Sequence, residues 1–243
     1  MYAGGKMENK KDMSILFAII VAIGIALGGF FIGSGIKYFK NFDRSVAVKG
    51  LSERIVKSDL VTWSISFSDS DNDLKQLYGK INNNQKVIKE YLLNNGFKED
   101  EIQMGTLATT DNWANAYANS TNAPRYAISS TVTLITSNVD KVYSLSQNSG
   151  ELVDKGVLVT FNAINYHFNG INSIKEEMLN EATQNAKAAA ETFAKNSNSS
   201  IGEIKGANQG VFSVSSPDGN FEGETTNIMK KVRVVTSIEF FLK

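Results

Sequence analysis

The chain has 243 residues, with 25 Lys and Arg against 25 Asp and Glu, so its formal net charge at pH 7 is zero. Nothing in this charge balance favours binding to nucleic acid. The chain has no cysteine, which excludes disulfides, thiol catalysis and thiolate metal sites.

The first predicted element is an apolar helix at residues 13–36, which follows an N-terminal tail at residues 1–12. At 1.5 Å per residue this helix extends roughly 36 Å, enough to cross a hydrocarbon core of about 30 Å. A signal peptide is the alternative, because Ala26-Leu27-Gly28 offers a small-x-small cleavage site. The apolar run continues past that site to Ile36, so we predict an uncleaved transmembrane anchor.

Basic residues flank this segment on both sides, with Lys10 and Lys11 before it and Lys37 and Lys40 after it. Positive charge normally marks the cytoplasmic flank of a membrane helix. Here the two flanks are balanced, so charge leaves the orientation open. A juxtamembrane linker is predicted at residues 37–44.

After the linker, apolar and polar residues alternate, which is the pattern of a β-strand. Val46 and Val48 alternate with polar residues and predict a short strand that Gly50 ends. A second strand is predicted where apolar residues alternate with Thr and Ser, at Val61, Trp63, Ile65 and Phe67. One face of this second strand is expected to be buried.

A helix is predicted next, with Asp69 or Ser70 as its N-cap and Gly96 near its end. Its apolar stripe should pack on the sheet and comprises Leu74, Leu77, Tyr78, Ile81, Ile88, Tyr91 and Leu92. Two more strands are predicted, around residues 102–106 and 126–134.

The second half repeats this order. A short helix at residues 139–147 leads to a strand at 157–168, a helix at 173–195 and strands at 203–214 and 228–242. Strand, helix, strand, strand therefore occurs twice, which predicts a duplicated α+β domain at 45–243, with halves at about 45–137 and 138–243. We expect antiparallel or mixed sheets packed by the long helices.

The second long helix carries small residues at four-residue spacing, at Ala182, Ala186, Ala190 and Ala194. Such a ridge lets a helix approach its neighbour closely, although alanine also favours helix formation by itself. We predict close packing, with Met178 and Phe193 on the same buried face.

Two long polar loops, 111–125 and 213–227, join the last two strands of each half. Long loops in compact domains are often functional. Trp113, Tyr117 and Phe221 are the candidate interface residues, because aromatic side chains are typical anchors of protein interfaces. The alternative is that these side chains fold back over the sheet edge.

The sequence offers little that points to catalysis. His167 is the only histidine, so no histidine cluster for a metal exists. Asp69, Asp71 and Asp73 alternate as in a calcium loop, but Lys80 occupies the position of the required glutamate. We predict no catalytic, cofactor-binding or metal-binding residue and no enzyme activity; a hydrolase acting through His167 is the least favoured alternative.

Two stretches carry a family resemblance. Val46-Ala47-Val48-Lys49-Gly50, followed by the alternating strand 59–65, resembles the opening of the SIMPL-domain family of bacterial envelope proteins. The alanine-rich helix running into Ile201-Gly202-Glu203-Ile204 is similar to that family's later helix and strand. The resemblance implies a protein facing the periplasm, associated with oxidative-stress defence and able to form a ring-like or channel-like homo-oligomer. It supplies no active-site residues.

Together these observations predict a non-enzymatic, single-pass protein of the bacterial inner membrane, with residues 13–36 in the membrane. Its C-terminal domain is expected to face the periplasm and to self-associate, without cofactor or nucleic acid. A cleaved, soluble periplasmic form is the alternative location. The alternative function is a monomeric surface module that binds a peptide, glycan or lipid through loops 111–125 and 213–227.

Overall fold

A computed structural model of the protein describes residues 5–42, 44–114, 123–148, 150–219 and 225–243. The helices are α1 (Gly5–Phe42), α2 (Leu74–Asn94), α3 (Val139–Ser146), α4 (Gly150–Asp154) and α5 (Ile171–Asn196). The strands are β1 (Ser45–Lys57), β2 (Leu60–Asp71), β3 (Ile102–Met104), β4 (Ala108–Asp111), β5 (Tyr126–Thr136), β6 (Val159–His167), β7 (Ile201–Gln209), β8 (Ser213–Ser215) and β9 (Met229–Leu242).

The fold is α+β with two antiparallel sheets, which confirms the predicted fold class. One sheet has the order β3-β5-β2-β6, with β4 also paired to β5. The other has the order β1-β9-β7, with β8 also paired to β9. In both, two strands follow a long helix and pair with the next long strand: β3 and β4 with β5, and β7 and β8 with β9. The repeated order of strand, helix and strands is therefore present in the structure.

The chain forms two compact units. The first comprises Met1–Gly50, Thr183–Gln209 and Thr236–Lys243, and the second comprises Leu51–Ala182 and Gly210–Val235. Helix α5 and strands β1 and β9 each contribute residues to both units.

The core of the second unit lies between α2 and its sheet. Trp63, Ile65 and the other predicted inward residues of β2 are buried, as are Val132 and Leu134 of β5. The predicted stripe of α2 is wrong at its first turn, because Leu74 and Tyr78 are exposed. The buried stripe is narrower, running along Leu77, Ile81, Asn84, Ile88, Tyr91 and Leu92.

The alanine ridge of α5 packs as predicted. Ala186 and Ala190 are buried against Ile238 and Phe240 in the first unit, while Met178 and Ala182 are buried against Val232 and Val234 in the second. The expectation for Phe193 is wrong, because that side chain is 61% exposed. The helix contacts the sheet through its row of alanines at four-residue spacing. Phe193 lies about 100° around the helix from Ala194, so its side chain points away from that contact.

Several predicted boundaries are corrected. Strand β1 runs through Gly50 to Lys57, because alternate positions of the strand remain buried on both sides of the glycine. Strand β2 pairs with β5 as far as Asp71, so α2 cannot begin at Asp69 or Ser70. Asp73 is the N-cap and accepts from the backbone N–H groups of Lys75 and Gln76.

Other boundaries change in the second half. The predicted strand 203–214 is two strands, because the chain leaves the ladder at Gly210–Phe212 between β7 and β8. Loop 213–227 is correspondingly shorter, since Ser213–Ser215 pair with β9. The predicted strand 157–168 is shortened to Val159–His167. At its start, the Val157 N–H donates to the Leu152 oxygen at 3.0 Å, closing the end of the unpredicted helix α4.

The two long helices end in the same way. A residue in the left-handed region follows each helix by two positions, Gly96 with φ 77° after α2 and Asn198 with φ 53° after α5. The next backbone N–H then reaches back to the helix, from Phe97 to the Leu92 oxygen at 3.2 Å and from Ser199 to the Ala194 oxygen at 2.8 Å. Both ends therefore form the hydrogen bond of the Schellman motif.

In each half a glycine lies between the two strands that follow the long helix, Gly105 between β3 and β4 and Gly210 between β7 and β8. Gly105 donates its N–H to the Thr131 oxygen at 2.8 Å, and Gly210 donates to the Val235 oxygen at 2.9 Å. A Cβ on Gly105 would lie 2.5 Å from that same Thr131 oxygen, and a Cβ on Gly210 would meet the Val235 oxygen as closely. Backbone contact at these points excludes any side chain.

We predict that Gly105→Ala and Gly210→Ala each destabilise the protein by about 1–3 kcal/mol, the range for forced overpacking. Gly206→Ala is the matched control, because a Cβ on Gly206 would meet no neighbouring atom within 4 Å. Chemical unfolding of the full chain in detergent, followed by circular dichroism, measures the difference. Equal stability of the Gly105 and Gly206 variants would contradict the prediction.

Candidate functional site

Residues Met13–Gly35 of α1 form a stretch long and apolar enough to cross a membrane. The side chains of this stretch are exposed rather than buried against protein. This exposure distinguishes α1 from the core helix of a soluble domain. The segment is compatible with a membrane anchor or with a signal sequence.

The base of loop 111–125 is closed by hydrogen bonds on both sides. Asn112 donates its backbone N–H to the Arg125 oxygen at 2.7 Å and its amide Nδ2 to the Pro124 oxygen at 2.8 Å. The Arg125 N–H in turn donates to Oδ1 of Asn72 at 2.9 Å. The loop therefore leaves the sheet from a fixed position beyond the last pair of β4 and β5.

An ion pair and two aromatic rings are built on this base, and we call Asp111, Trp113, Arg125 and Tyr126 the Trp113 platform. The Arg125 guanidinium donates through Nε and Nη2 to Oδ2 of Asp111, at 3.2 and 3.0 Å. Its central carbon lies over the Trp113 ring at 5.7 Å and over the Tyr126 ring at 5.0 Å from the ring centres. Arg125 thus links the two rings.

Trp113 is held but remains open to solvent. Its indole Nε1 donates to the Ala123 oxygen at 3.3 Å, and its backbone N–H donates to Oδ1 of Asp111 at 3.0 Å. The residue is nevertheless 58% exposed. An exposed indole that is already ordered loses little conformational entropy when another surface packs on it.

The ion pair changes the acidity of its members. The hydrogen bond from Arg125, followed by backbone N–H groups, holds the pKa of Asp111 below its usual range. The same bond raises the pKa of Arg125. The pair therefore stays ionised at physiological pH and has no net charge.

The two predicted interface loops lie near opposite ends of β2. The first joins β4 to β5 in the sheet of β2, whereas the second joins β8 to β9 of the other sheet. Asp71 at the end of β2 pairs with Tyr126, beside the first loop. At the start of β2, the Ser58 N–H donates to the Ile228 oxygen at 2.9 Å, just after the second loop. Val61 and Asp71 are separated by about 33 Å at 3.3 Å per residue. The described parts of the loops do not share one site, and Tyr117 and Phe221 lie outside the described residues.

A second surface lies on the sheet of the second unit, on the face opposite α2. Its outward residues in the central strands are mostly Ser and Thr, and we call this surface the hydroxyl face. Its members in β2 are Thr62, Ser64, Ser66 and Ser68, and in β5 they are Ser129, Thr131, Thr133 and Ile135. Ser64 and Ser66 pair with Ala163 and Phe161 of β6, which extend the face.

The acidic residues that resemble a calcium loop have structural partners. Asp71 accepts from the Lys80 ammonium at 2.7 Å, and this bond lowers the pKa of Asp71. Asp73 caps α2. Across the described residues no three His, Asp or Glu side chains are grouped to hold a metal ion. His167 ends β6 and is half-buried there.

A family model described as SIMPL, a protein of unknown function (DUF541), matches residues 46–239. That match covers most of the chain. The chain belongs to the SIMPL family. No curated protein matches the sequence. The family resemblance seen in the sequence is therefore confirmed, and the SIMPL region includes both sheets.

Three members of the Trp113 platform, Asp111, Arg125 and Tyr126, were not predicted as interface residues. Asp111 and Arg125 are the first and last residues of the loop, and their opposite charges at its two ends were the available signal. Antiparallel pairing of β4 with β5 places them side by side. In this SIMPL protein, the ion pair closes the loop that presents Trp113.

We predict that acid breaks the Asp111–Arg125 ion pair and so changes the surroundings of the Trp113 ring. Because the pKa of Asp111 is lowered in the folded state, its bond to Arg125 is present above the ordinary Asp pKa of about 3.9 and is lost only as pH falls through the lower folded value. Fluorescence of Trp113, obtained by subtracting the spectrum of Trp113→Phe, should change in that acid range.

The subtracted variant retains Trp63, which is buried and reports on the core. Asp111→Asn should abolish the acid change in the Trp113 signal while the Trp63 signal stays the same. An identical acid transition in Asp111→Asn would show that another group controls the platform.

Proposed function

We propose that this SIMPL protein is a non-enzymatic, membrane-tethered envelope protein whose folded domain associates with other copies of itself. The observation that carries the proposal is the Trp113 platform, an exposed indole held in place by Arg125 and Asp111. Trp, Tyr and Arg dominate the energetic centres of protein interfaces. Here all three residue types occur together on one loop base.

Neutrality of the platform favours contact between identical copies. The Asp111–Arg125 pair cancels its own charge, so two platforms brought together do not repel each other strongly. A surface of one sign would oppose its own copy, because like charges that face each other at an interface cost several kcal/mol. The platform therefore suits self-association.

The proposed location is the bacterial inner membrane, with one span and the SIMPL domain in the periplasm. The exposed apolar stretch of α1 supports a tether. The orientation is supported by the envelope association that the family resemblance implies. A cleaved form would be soluble in the periplasm and would keep the same domain.

A contribution to oxidative-stress defence is part of the proposal and would act through assembly at the envelope. Enzymes that reduce peroxides through thiols need a reactive cysteine. This chain has none. The non-enzymatic proposal is also supported by the structural roles of Asp71, Asp73 and Asp111 as ion-pair and cap residues.

We predict that Trp113→Ala weakens self-association of the full chain in detergent by about 30-fold, since truncating an interface anchor costs about 2 kcal/mol or more. Sedimentation velocity over a concentration series measures the change. Phe193→Ala is the control, because Phe193 is an aromatic residue of similar exposure, at 61%. Unchanged association in Trp113→Ala would contradict the role of the platform.

We predict that a phosphatase reporter fused after Lys243 is active and that a fluorescent-protein reporter at the same position is dark, as expected for a periplasmic C-terminus. Sequencing the mature N-terminus completes the measurement. A start near Met1 supports the anchor, and a start near Gly29 supports cleavage. A dark phosphatase fusion with a bright fluorescent fusion would reverse the proposed orientation.

A further inference from the structure

The hydroxyl face carries no charge. None of its members in β2, β5 or β6 is Lys, Arg, Asp or Glu, although 21% of all residues in the chain are charged. Each of these members is half-buried or exposed, and none is buried. Sheet faces open to solvent normally carry polar and charged residues, and charges oppose association between copies.

Strand β9, which occupies the position of β5 in the second half, shows that the fold does not require an uncharged outward face. The glycine contacts align Thr131 of β5 with Val235 of β9. By the same alignment, Ser129 corresponds to Arg233 and Ile135 corresponds to Glu239. Two positions that are charged in β9 are therefore uncharged in β5, and the difference belongs to the surface of one half only.

A surface lined with hydroxyl groups can be complementary to the same surface on another copy of the chain. Each Ser or Thr hydroxyl both donates and accepts, so it can pair with the same group on another copy. Ser66 and Thr131 already show such a pair within the face, with their oxygens 2.9 Å apart. The short side chains also allow two sheets to approach closely, and Phe161, 64% exposed, supplies an apolar contact at the β6 side.

We propose that the hydroxyl face is the surface on which a second copy of this chain packs, sheet against sheet, about a two-fold axis. This inference rests on the proposed self-association and adds a second contact surface to the Trp113 platform. A two-fold contact uses the same patch on both copies, so a patch that is complementary to itself is what it requires.

The area of the face is sufficient for a specific contact. The outward residues of β3 and β4 flank the hydroxyl face and are also uncharged, with Gln103 paired to Thr133 and Ala108 paired to Ser129. Over this whole sheet face, about ten residues of β2 span roughly 33 Å, and four strands at about 4.8 Å spacing span roughly 19 Å. The face therefore covers about 600 Å² on each copy, and two copies would bury about 1,200 Å² in total. Specific interfaces begin at about 1,000 Å² in total.

Charge insertion tests the proposal in the full chain in detergent. Thr131→Lys places a cation in the centre of the face, and Val235→Lys places the same cation at the aligned position of β9. We expect Thr131→Lys to weaken association at least tenfold in sedimentation velocity and Val235→Lys to leave it unchanged. Ser129→Arg is the second variant, since the aligned Arg233 shows that this strand position tolerates arginine; circular dichroism and thermal unfolding verify that each variant is folded.

Single cysteines test the contact directly, because the natural chain has none. Ser66→Cys and Thr131→Cys should give disulfide-linked dimers when membranes are oxidised, and Val235→Cys should not. If the wild-type chain is monomeric, both the proposed function and this inference fail. If the wild-type chain associates but Thr131→Lys has no effect, or only Val235→Cys crosslinks, the inference alone is overturned.

Discussion

The structure of the second unit depends on one constraint, the burial of alternate side chains of β2 and β5 beneath α2. Because side chains alternate across a strand, placing Trp63 and Ile65 in the core forces Ser64 and Ser66 onto the opposite face. The buried indole of Trp63 also needs an acceptor, and Asn162 of β6 provides its Oδ1. A shift of one residue in the pairing of β2 with β5 would bury serines and leave the indole N–H without an acceptor. The core therefore fixes both the register and the composition of the other face.

The second half of the domain repeats this order of elements with few identical residues. Identity persists where backbone geometry allows only glycine, as at Gly105 and Gly210, each in contact with a carbonyl of the neighbouring strand. Where a left-handed turn suffices, Gly96 has Asn198 as its counterpart, since both residues tolerate positive φ. The repeat is therefore visible in the order of elements and in a few backbone contacts.

Local patterns in the sequence predicted the elements that local physics determines. Alternation located β2, β5 and β9, and a left-handed residue located the end of α2. The path of β1 through Gly50 was not predictable in this way, because strand continuation there depends on the neighbouring strand and on packing at alternate positions. The exposure of Phe193 likewise depends on which row of α5 contacts the sheet.

The same distinction applies to the candidate site. Trp113 was identified from its residue type and loop position, but its partners were not, because the Asp111–Arg125 pair forms only when β4 lies against β5. The hydroxyl face was visible in the alternation of β2 as its polar half. Its lack of charge became informative only once β5 and β6 were placed beside β2, since a surface is defined by neighbouring strands rather than by one segment.

The proposed membrane tether accounts for how contacts this polar would sustain the proposed assembly. A hydroxyl pair contributes only about 0.5–1.5 kcal/mol, so a surface built from Ser and Thr binds weakly between freely diffusing molecules. Attachment to a membrane confines copies to one layer, and linked partners meet at effective concentrations that can reach the millimolar range. Under the proposed arrangement α1 supplies that concentration, while the hydroxyl face and the Trp113 platform supply the specificity.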